Sequence, residues 1–196
     1  MTGIMDGRTA RRDRNRTEVV EAALALVDQG VMDPSVEDLT ARSGVSARSI
    51  FRYFDGLDDL RREVIRTHFE RVRPIIEVVP PGDGSLDTRI KRFVDSRIRF
   101  NEAIASVAPT AQARARYAPV IAADIQEYRQ VADASVRRHF GPELKTRPKS
   151  EAEDLIALID VLVSFDGWEQ MTRDYHRSRS QIRRAWMSAL GSLLAG

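Results

Sequence analysis

The chain has 196 residues and no cysteine, with 31 Lys+Arg against 29 Asp+Glu for a formal net charge of +2. Disulfide scaffolds, thiol catalysis and cysteine zinc sites are therefore excluded, and 42 % apolar residues exclude an intrinsically disordered chain. All but Lys91, Lys145 and Lys149 of the cations are arginine, and a surplus of two charges sets up no strong global field, so what matters is where the arginines stand.

Apolar runs such as Val161-Leu162-Val163 are far short of a membrane span, and the first sixteen residues hold five arginines and no apolar segment, unlike a secretory signal. A cytoplasmic protein with no membrane partner is expected.

The dominant period is helical, so an all-α fold of about nine helices is expected. Val19, Ala23, Leu26 and Val27 form one apolar stripe of a first helix over about 12–29, stopped by Gly30. Ser35 and Asp38 have capping-box spacing, which predicts a short helix over about 36–43 with Gly44 ending it. Ser46 then caps a third, about 47–53. A long fourth begins near Leu57, with Leu60, Val64, Phe69 and Val72 as apolar positions and Pro74 kinking or ending it. Pro80-Pro81-Gly82-Asp83-Gly84 reads as a loop.

Three more helices are expected over about 86–107, 109–116 and 119–140, followed by a polar connector over 142–148. Ser150 with Glu153 and Ser178 with Gln181 have capping-box spacing and open the last two, about 151–175 and 179–194. The eighth is apolar around much of its circumference, at Leu155, Leu158, Leu162, Phe165 and Trp168 among others. In the ninth, Ile182, Trp186, Ala189 and Leu193 recur at spacings of four, three and four, a seam suited to a partner helix.

The informative stretch is 35–54. Two short helices flank Ser43-Gly44-Val45-Ser46, which is the helix-turn-helix plan. At about 100° per residue, Ala47, Ile50, Phe51 and Phe54 fall in one arc of the second helix, and Arg48, Ser49, Arg52 and Tyr53 fall opposite. The first arc is expected to pack inward. The second offers two guanidinium groups, a hydroxyl and a phenol, which suit guanine edges and phosphate oxygens in a major groove. The alternative is an ordinary solvent face. Upstream, Arg8, Arg11, Arg12, Arg14 and Arg16 form a basic arm that either lies on DNA or is a solubilising tail.

The run Val36-Glu37-Asp38-Leu39-Thr40-Ala41-Arg42-Ser43-Gly44-Val45-Ser46-Ala47-Arg48-Ser49-Ile50-Phe51-Arg52-Tyr53-Phe54 resembles the DNA-binding signature of the TetR family of bacterial transcriptional regulators. The specific match covers roughly 14–65, including the stripe Val19-Ala22-Ala23-Leu24-Leu26. The resemblance implies a homodimer on a pseudo-palindromic double-stranded DNA operator, most simply a repressor, released by a small-molecule effector of unknown identity. It implies a DNA-binding domain over 1–56 and an effector-binding and dimerising domain over 57–196, linked by the helix over 57–73. Carried over by position, Arg48 and Ser49 would face bases, and Ser46, Arg52 and Tyr53 would hold phosphates. Thr40 would touch the backbone, Ala47 would let the helix end approach, and Arg11 and Arg12 would belong to the arm. Where members of the family commonly have serine and lysine entering the fourth helix, this chain has Gly56 and Leu57 followed by two acids.

Polar and aromatic residues embedded in apolar stretches of the second half form a search region for the effector: Phe93, Arg97, Asn101, Tyr117, Asp124, Tyr128, Phe165, Asp166 and Trp168. For each, a core, dimer-seam or solvated role is the simpler reading. Leu155, Leu162, Ile182, Trp186, Ala189 and Leu193 are the expected dimer seam. His68, His139 and His176 have no metal-ligand spacing, and there is no phosphate-cradling loop or nucleophile elbow, so neither an enzyme nor a cofactor is expected.

Overall fold

The computed structural model of the chain describes residues 7–77 and 83–195. Eleven helices and no strand fill the described residues: α1 (Gly7–Asp28), α2 (Val36–Ser43), α3 (Ala47–Tyr53), α4 (Leu57–Glu77), α5 (Leu86–Ile104), α6 (Ala108–Ala115), α7 (Pro119–His139), α8 (Gly141–Lys145), α9 (Lys149–Leu162), α10 (Phe165–Arg173) and α11 (Arg179–Ala195). Among these residues no helix is long and apolar enough to cross a membrane. The first six residues and most of the loop read at 80–84 lie outside the described residues.

The packing divides into two units. One comprises the chain up to Glu70 with Ser106–Ala122, the other Arg71–Ala105 with the chain from Ala123 onward. Chain order gives no hint that 106–122 packs with the N-terminal helices. In the first unit α1 packs on α2 and α3, burying Val19, Ala23, Leu39, Ile50 and Phe54, with Leu60, Val64 and Ile65 of α4. The 106–122 segment is fastened by polar contacts. Ser106 Oγ donates to Asp28 at 3.0 Å, Thr110 Oγ1 donates to the Met32 carbonyl at 3.1 Å, and Arg114 meets Asp33 at 2.8 Å. Asp33 also receives Arg61 from α4. Beneath these contacts lies an apolar cavity of about 40 Å³ that includes Val27, Leu39, Leu60 and Val107 in its lining.

In the second unit α5 lies against α11, with α9 and α10 completing the core around Phe93, Phe140, Ile159, Trp186 and Leu190. Arg89, itself buried, grips both carboxylate oxygens of Glu143 and donates to the His139 carbonyl at 2.9 Å. That contact orders α8 inside the stretch read as a polar connector.

Besides α8, the helix boundaries depart from the sequence pattern at the basic arm, within the expected eighth helix and at its start. The basic arm is helical from Gly7, because 8–29 contains no glycine or proline and arginine is a good helix former. The expected helix over 151–175 is two helices. Ser164 caps α10 by accepting from the Gly167 amide at 3.1 Å, and a Cβ on Gly167 would lie 2.9 Å from the Leu162 carbonyl, so the chain turns tightly at a position only glycine fits. The Ser150–Glu153 box does not form. α9 starts at Lys149 behind Pro148 with no side-chain cap, and Glu153 instead takes Arg137 at 2.6 and 2.9 Å. The Ser178–Gln181 box forms reciprocally, at 2.8 and 3.3 Å.

Candidate functional site

The two short helices are too short to persist alone and are held by their ends. Ser35 accepts from the Asp38 amide at 3.2 Å while Asp38 accepts from the Ser35 amide at 2.9 Å, a reciprocal box; the Ser35 hydroxyl, donating to Asp38 at 2.8 Å, and then the Ser35 amide hold the Asp38 carboxyl below the usual carboxylate range. Gly44 ends α2 at φ +70, where a side chain would be strained, and its amide donates to the Thr40 carbonyl at 3.0 Å. The Ser43 hydroxyl donates to the Leu39 carbonyl at 2.6 Å and accepts from the Val45 amide at 3.2 Å. Val45 is buried, and Ser46 caps α3 by accepting from the Ser49 amide. The turn thus fixes how α3 leaves α2.

The helix presents Ala47, Arg48, Phe51 and Arg52 to solvent, with Ser49 half-buried at the border and Ile50 and Tyr53 inside. This corrects the expected arcs at three positions. Phe51, expected inside, is 55 % exposed, and Tyr53, expected outside, is 7 % exposed. Ala47, also counted inward, is exposed. The true inner arc is Ile50, Tyr53 and Phe54. Tyr53 enters it because its hydroxyl finds local donors: Asn15 Nδ2 at 3.2 Å and Arg52 at 3.3 Å. The hydrogen bond from Arg52, then that from Asn15, pull the phenol below its ordinary pKa. Phe51 is a surface residue that the sequence pattern hides. The one signal for it is its place between Arg48 and Arg52, since an exposed aromatic suits thymine methyls as an alanine does.

The next residue of α1 grips the next residue of the chain. The Arg16 guanidinium lies over the Phe54 ring at 5.0 Å and meets Glu63 of α4 at 3.2 Å. Arg16 is therefore a packing residue, whereas Arg11, Arg12 and Arg14 are exposed on the helix. Among the described residues no side-chain partner holds Arg48. The Thr40 hydroxyl oxygen is shielded and has no hydrogen-bond partner. Asp59 is turned to capping, its carboxylate accepting from the Asp55 amide at 3.1 Å ahead of α4.

In the second unit Phe93, Arg97 and Asn101 share the inner face of α5, and the two polar side chains each bond a main-chain carbonyl. Arg97 lies over the Phe93 ring at 4.9 Å and donates to the Ala132 carbonyl at 2.8 Å. Burial pulls its pKa down to about 10, against the favourable charge of Asp160. The Asn101 amide donates to the carbonyls of Val163 at 3.0 Å and Ser164 at 3.4 Å. Phe165 is buried, stacked 5.7 Å from the half-buried Trp168. Asp124 and Tyr128 are half-buried on α7, while Tyr117 belongs to the first unit and is 87 % exposed. An open polar depression of the second unit is bordered by Arg129, Asp160, Asp166, Gln170 and Arg173. Of the expected effector residues, only Asp166 borders it.

Three of the six expected seam residues, Leu155, Ile182 and Trp186, are buried in this unit's own core. The inner stripe of α11 is Ile182, Trp186, Leu190 and Leu194, at a constant spacing of four. Leu162, Ala189 and Leu193 are half-buried, and α9 carries a second apolar face in Leu158 and Val161, 57 % and 69 % exposed.

No family model matches the sequence. Over 141 residues, 70 % of this chain and 69 % of the relative, the sequence is 27 % identical to the HTH-type transcriptional repressor LfrR of Mycolicibacterium smegmatis. The fold is similar to that of a TetR-family transcriptional regulator from Streptomyces coelicolor, with a TM-score of 0.74 and 18 % identity over 99 % of this chain and 82 % of that one. It is also similar to a transcriptional regulator from Rhodococcus sp. Rha1 (TM-score 0.68, 18 % identity, 94 % and 96 % covered). The multidrug binding protein EbrR, solved with imidazole, has a TM-score of 0.64 at 16 % identity, with 91 % and 94 % covered.

Proposed function

Since the chain has the fold of the TetR-family regulators, we propose that it is a transcriptional regulator, a repressor, that binds a pseudo-palindromic DNA operator as a homodimer and is released by a small molecule. The observation that carries this reading is the outward face of α3. Arg48 and Arg52 stand beside Ala47 and Phe51 on a short helix whose entry angle is fixed by a capped turn. Arg48 supplies a bidentate donor for guanine O6 and N7, the two apolar side chains suit thymine methyls, and Arg52, Ser46 and Ser49 are donors for phosphate. The exposed arginines of α1 extend the basic surface. Repression is the reading favoured by the name of the Mycolicibacterium relative, and a nucleoid-side, cytoplasmic location follows from it.

Arg97 and Asn101 are spent on main-chain carbonyls, so the effector is assigned to the depression at Asp160, Asp166 and Gln170. The multidrug binding name of one structural relative supports an organic effector. The dimer is assigned to the outer faces of α9 and α11, where Leu158, Val161 and Leu162 lie at i, i+3 and i+4, and Ala185, Ala189 and Leu193 recur every four residues.

The test is selection of duplexes from a random library, followed by titration of the enriched sequence. Enrichment of a two-fold symmetric site, with affinity falling steeply as salt rises and lost in the Arg48→Ala, Arg52→Ala double variant, is the expected result. No enriched sequence, or unchanged affinity in the double variant, overturns it.

A further inference from the structure

The Tyr53 hydroxyl is held by side chains of two helices. A phenol oxygen has two lone pairs and one proton. Asn15 Nδ2 donates to it at 3.2 Å from α1, and the neighbouring Arg52 donates at 3.3 Å from α3. The Arg52 guanidinium also lies against the Tyr53 ring, 5.3 Å from its centroid. The Ser49 hydroxyl, one turn back on α3, is a further hydrogen-bonding neighbour of the same oxygen. The Tyr53 ring is buried, Asn15 is half-buried and Arg52 is exposed, so the hydroxyl sits at the rim between the interior and the outward face of α3.

We propose that Asn15 is a positioning residue for DNA binding: by holding the Tyr53 hydroxyl from α1, it keeps the Arg52 guanidinium, which donates to the same oxygen, in register for a phosphate on the outward face of α3. This rests on the DNA-binding reading given above. Phosphate oxygens accept only, so a guanidinium held at a fixed place on the outward face fits one backbone step. Without Asn15 the hydroxyl is free to rotate and to accept elsewhere, and Arg52 loses the fixed edge of its seat. The amide of Asn15 is spent on the phenol, so its effect on DNA must travel through Tyr53 and Arg52.

The experiment uses the full chain and a fluorescent duplex carrying the selected site, titrated across a salt series, with Asn15→Ala, Tyr53→Phe, Arg52→Ala and the Asn15→Ala, Arg52→Ala double variant. Each phosphate no longer neutralised lowers the slope of log affinity against log salt by about one. Asn15→Ala is expected to lower the slope by about one per head, and to lower it no further when Arg52 is already alanine. A second readout needs no DNA: ultraviolet titration of the phenols, with Tyr53→Phe identifying the Tyr53 transition. Asn15→Ala is expected to move that transition to higher pH. An unchanged slope in Asn15→Ala, or an additive loss in the double variant, overturns the positioning role. An unmoved phenol transition overturns the hydrogen-bond arrangement behind it. A wild-type chain that binds no duplex overturns the DNA-binding reading itself, and with it this role, and is told apart because the wild type fails.

Discussion

Asn101 reaches from α5 to place its amide 3.0 Å from the carbonyl of Val163, at the point where α9 stops and α10 is about to start. A break between two helices leaves carbonyls without intrahelical donors, and a buried amide from another helix satisfies that of Val163 here, while the Ser164 carbonyl also takes the Trp168 amide of α10 at 3.0 Å. The break is therefore held from outside as well as by its own Ser164 cap.

Removing that support has a measurable cost. Asn101→Ala leaves the Val163 and Ser164 carbonyls without this donor in the interior and is expected to cost about 1–3 kcal/mol in urea denaturation. Gly167→Ala is expected to destabilise as well, since its Cβ meets the Leu162 carbonyl at 2.9 Å. Gly191→Ala is the contrasting case. It lies in α11 with nothing within 4 Å of the added carbon, and is expected to stabilise by about 0.5–1 kcal/mol.

Phe51 and Tyr53 exchange the roles that their hydropathy suggests, and mutation separates them. Phe51→Ala is expected to leave stability within about 0.5 kcal/mol, since the ring is largely in solvent, and to weaken operator binding several-fold. Tyr53→Ala is expected to lower stability by about 3–5 kcal/mol, as a buried aromatic truncation does. Thermal melting and duplex titration of the two variants provide the check; a destabilised Phe51→Ala would place that ring inside.

His139 makes the second unit sensitive to mild acid. Burial, and then the nearby charges of Arg97, Arg138 and Arg89, hold its pKa below 6.5, against the opposing effect of its bond to the Ser135 carbonyl. The unfolded chain thus binds more protons than the folded one between the lowered value and 6.5, and stability rises with pH across that window. Stability is full above 6.5, is lost as pH falls through it, and stops falling on this account below the folded value. Replacing His139 by glutamine is expected to flatten the melting temperature between pH 5 and 7, in a series of scans at fixed salt. Glu143, held below its usual range by Arg89, contributes in a lower window, around and below 4.5, and leaves this one unaffected.

The proposed dimer face also separates from the core. Val161→Asp with Leu158→Asp is expected to give a folded monomer by sedimentation and circular dichroism, with weaker operator binding because two half-sites then act independently. Trp186→Asp is expected to unfold the second unit instead, since that side chain is 1 % exposed within one chain. A persistent dimer in the α9 variant would put the interface elsewhere.

The sequence is most legible where a local signal suffices. Ser35 with Asp38, Gly44 and Ser46 fix α2, the turn and α3 within a few residues, and their bonds are all short-range. It is least legible where a distant group decides. Glu153 has the spacing of a cap but is taken by Arg137 from α7, and Ser164 with Gly167 splits a long apolar stretch that periodicity reads as one helix. The α3 face is obscure for the same reason: whether a tyrosine lies inside depends on Asn15, thirty-eight residues away, which no wheel drawn on 47–54 includes. The seam residues divide because an apolar stripe does not say whether its partner is another helix of the same chain.

Three guanidinium groups here, those of Arg16, Arg52 and Arg97, lie on an aromatic ring and bond sideways at the same time: to Glu63, to the Tyr53 hydroxyl and to the Ala132 carbonyl. A flat cation does this because its faces stack while its edges donate, and an ammonium group has no faces. A version of the chain with lysine at these three positions would keep every charge, and therefore its isoelectric behaviour, yet lose three joints that depend on planarity. The heavy use of arginine over lysine is in these places a matter of shape.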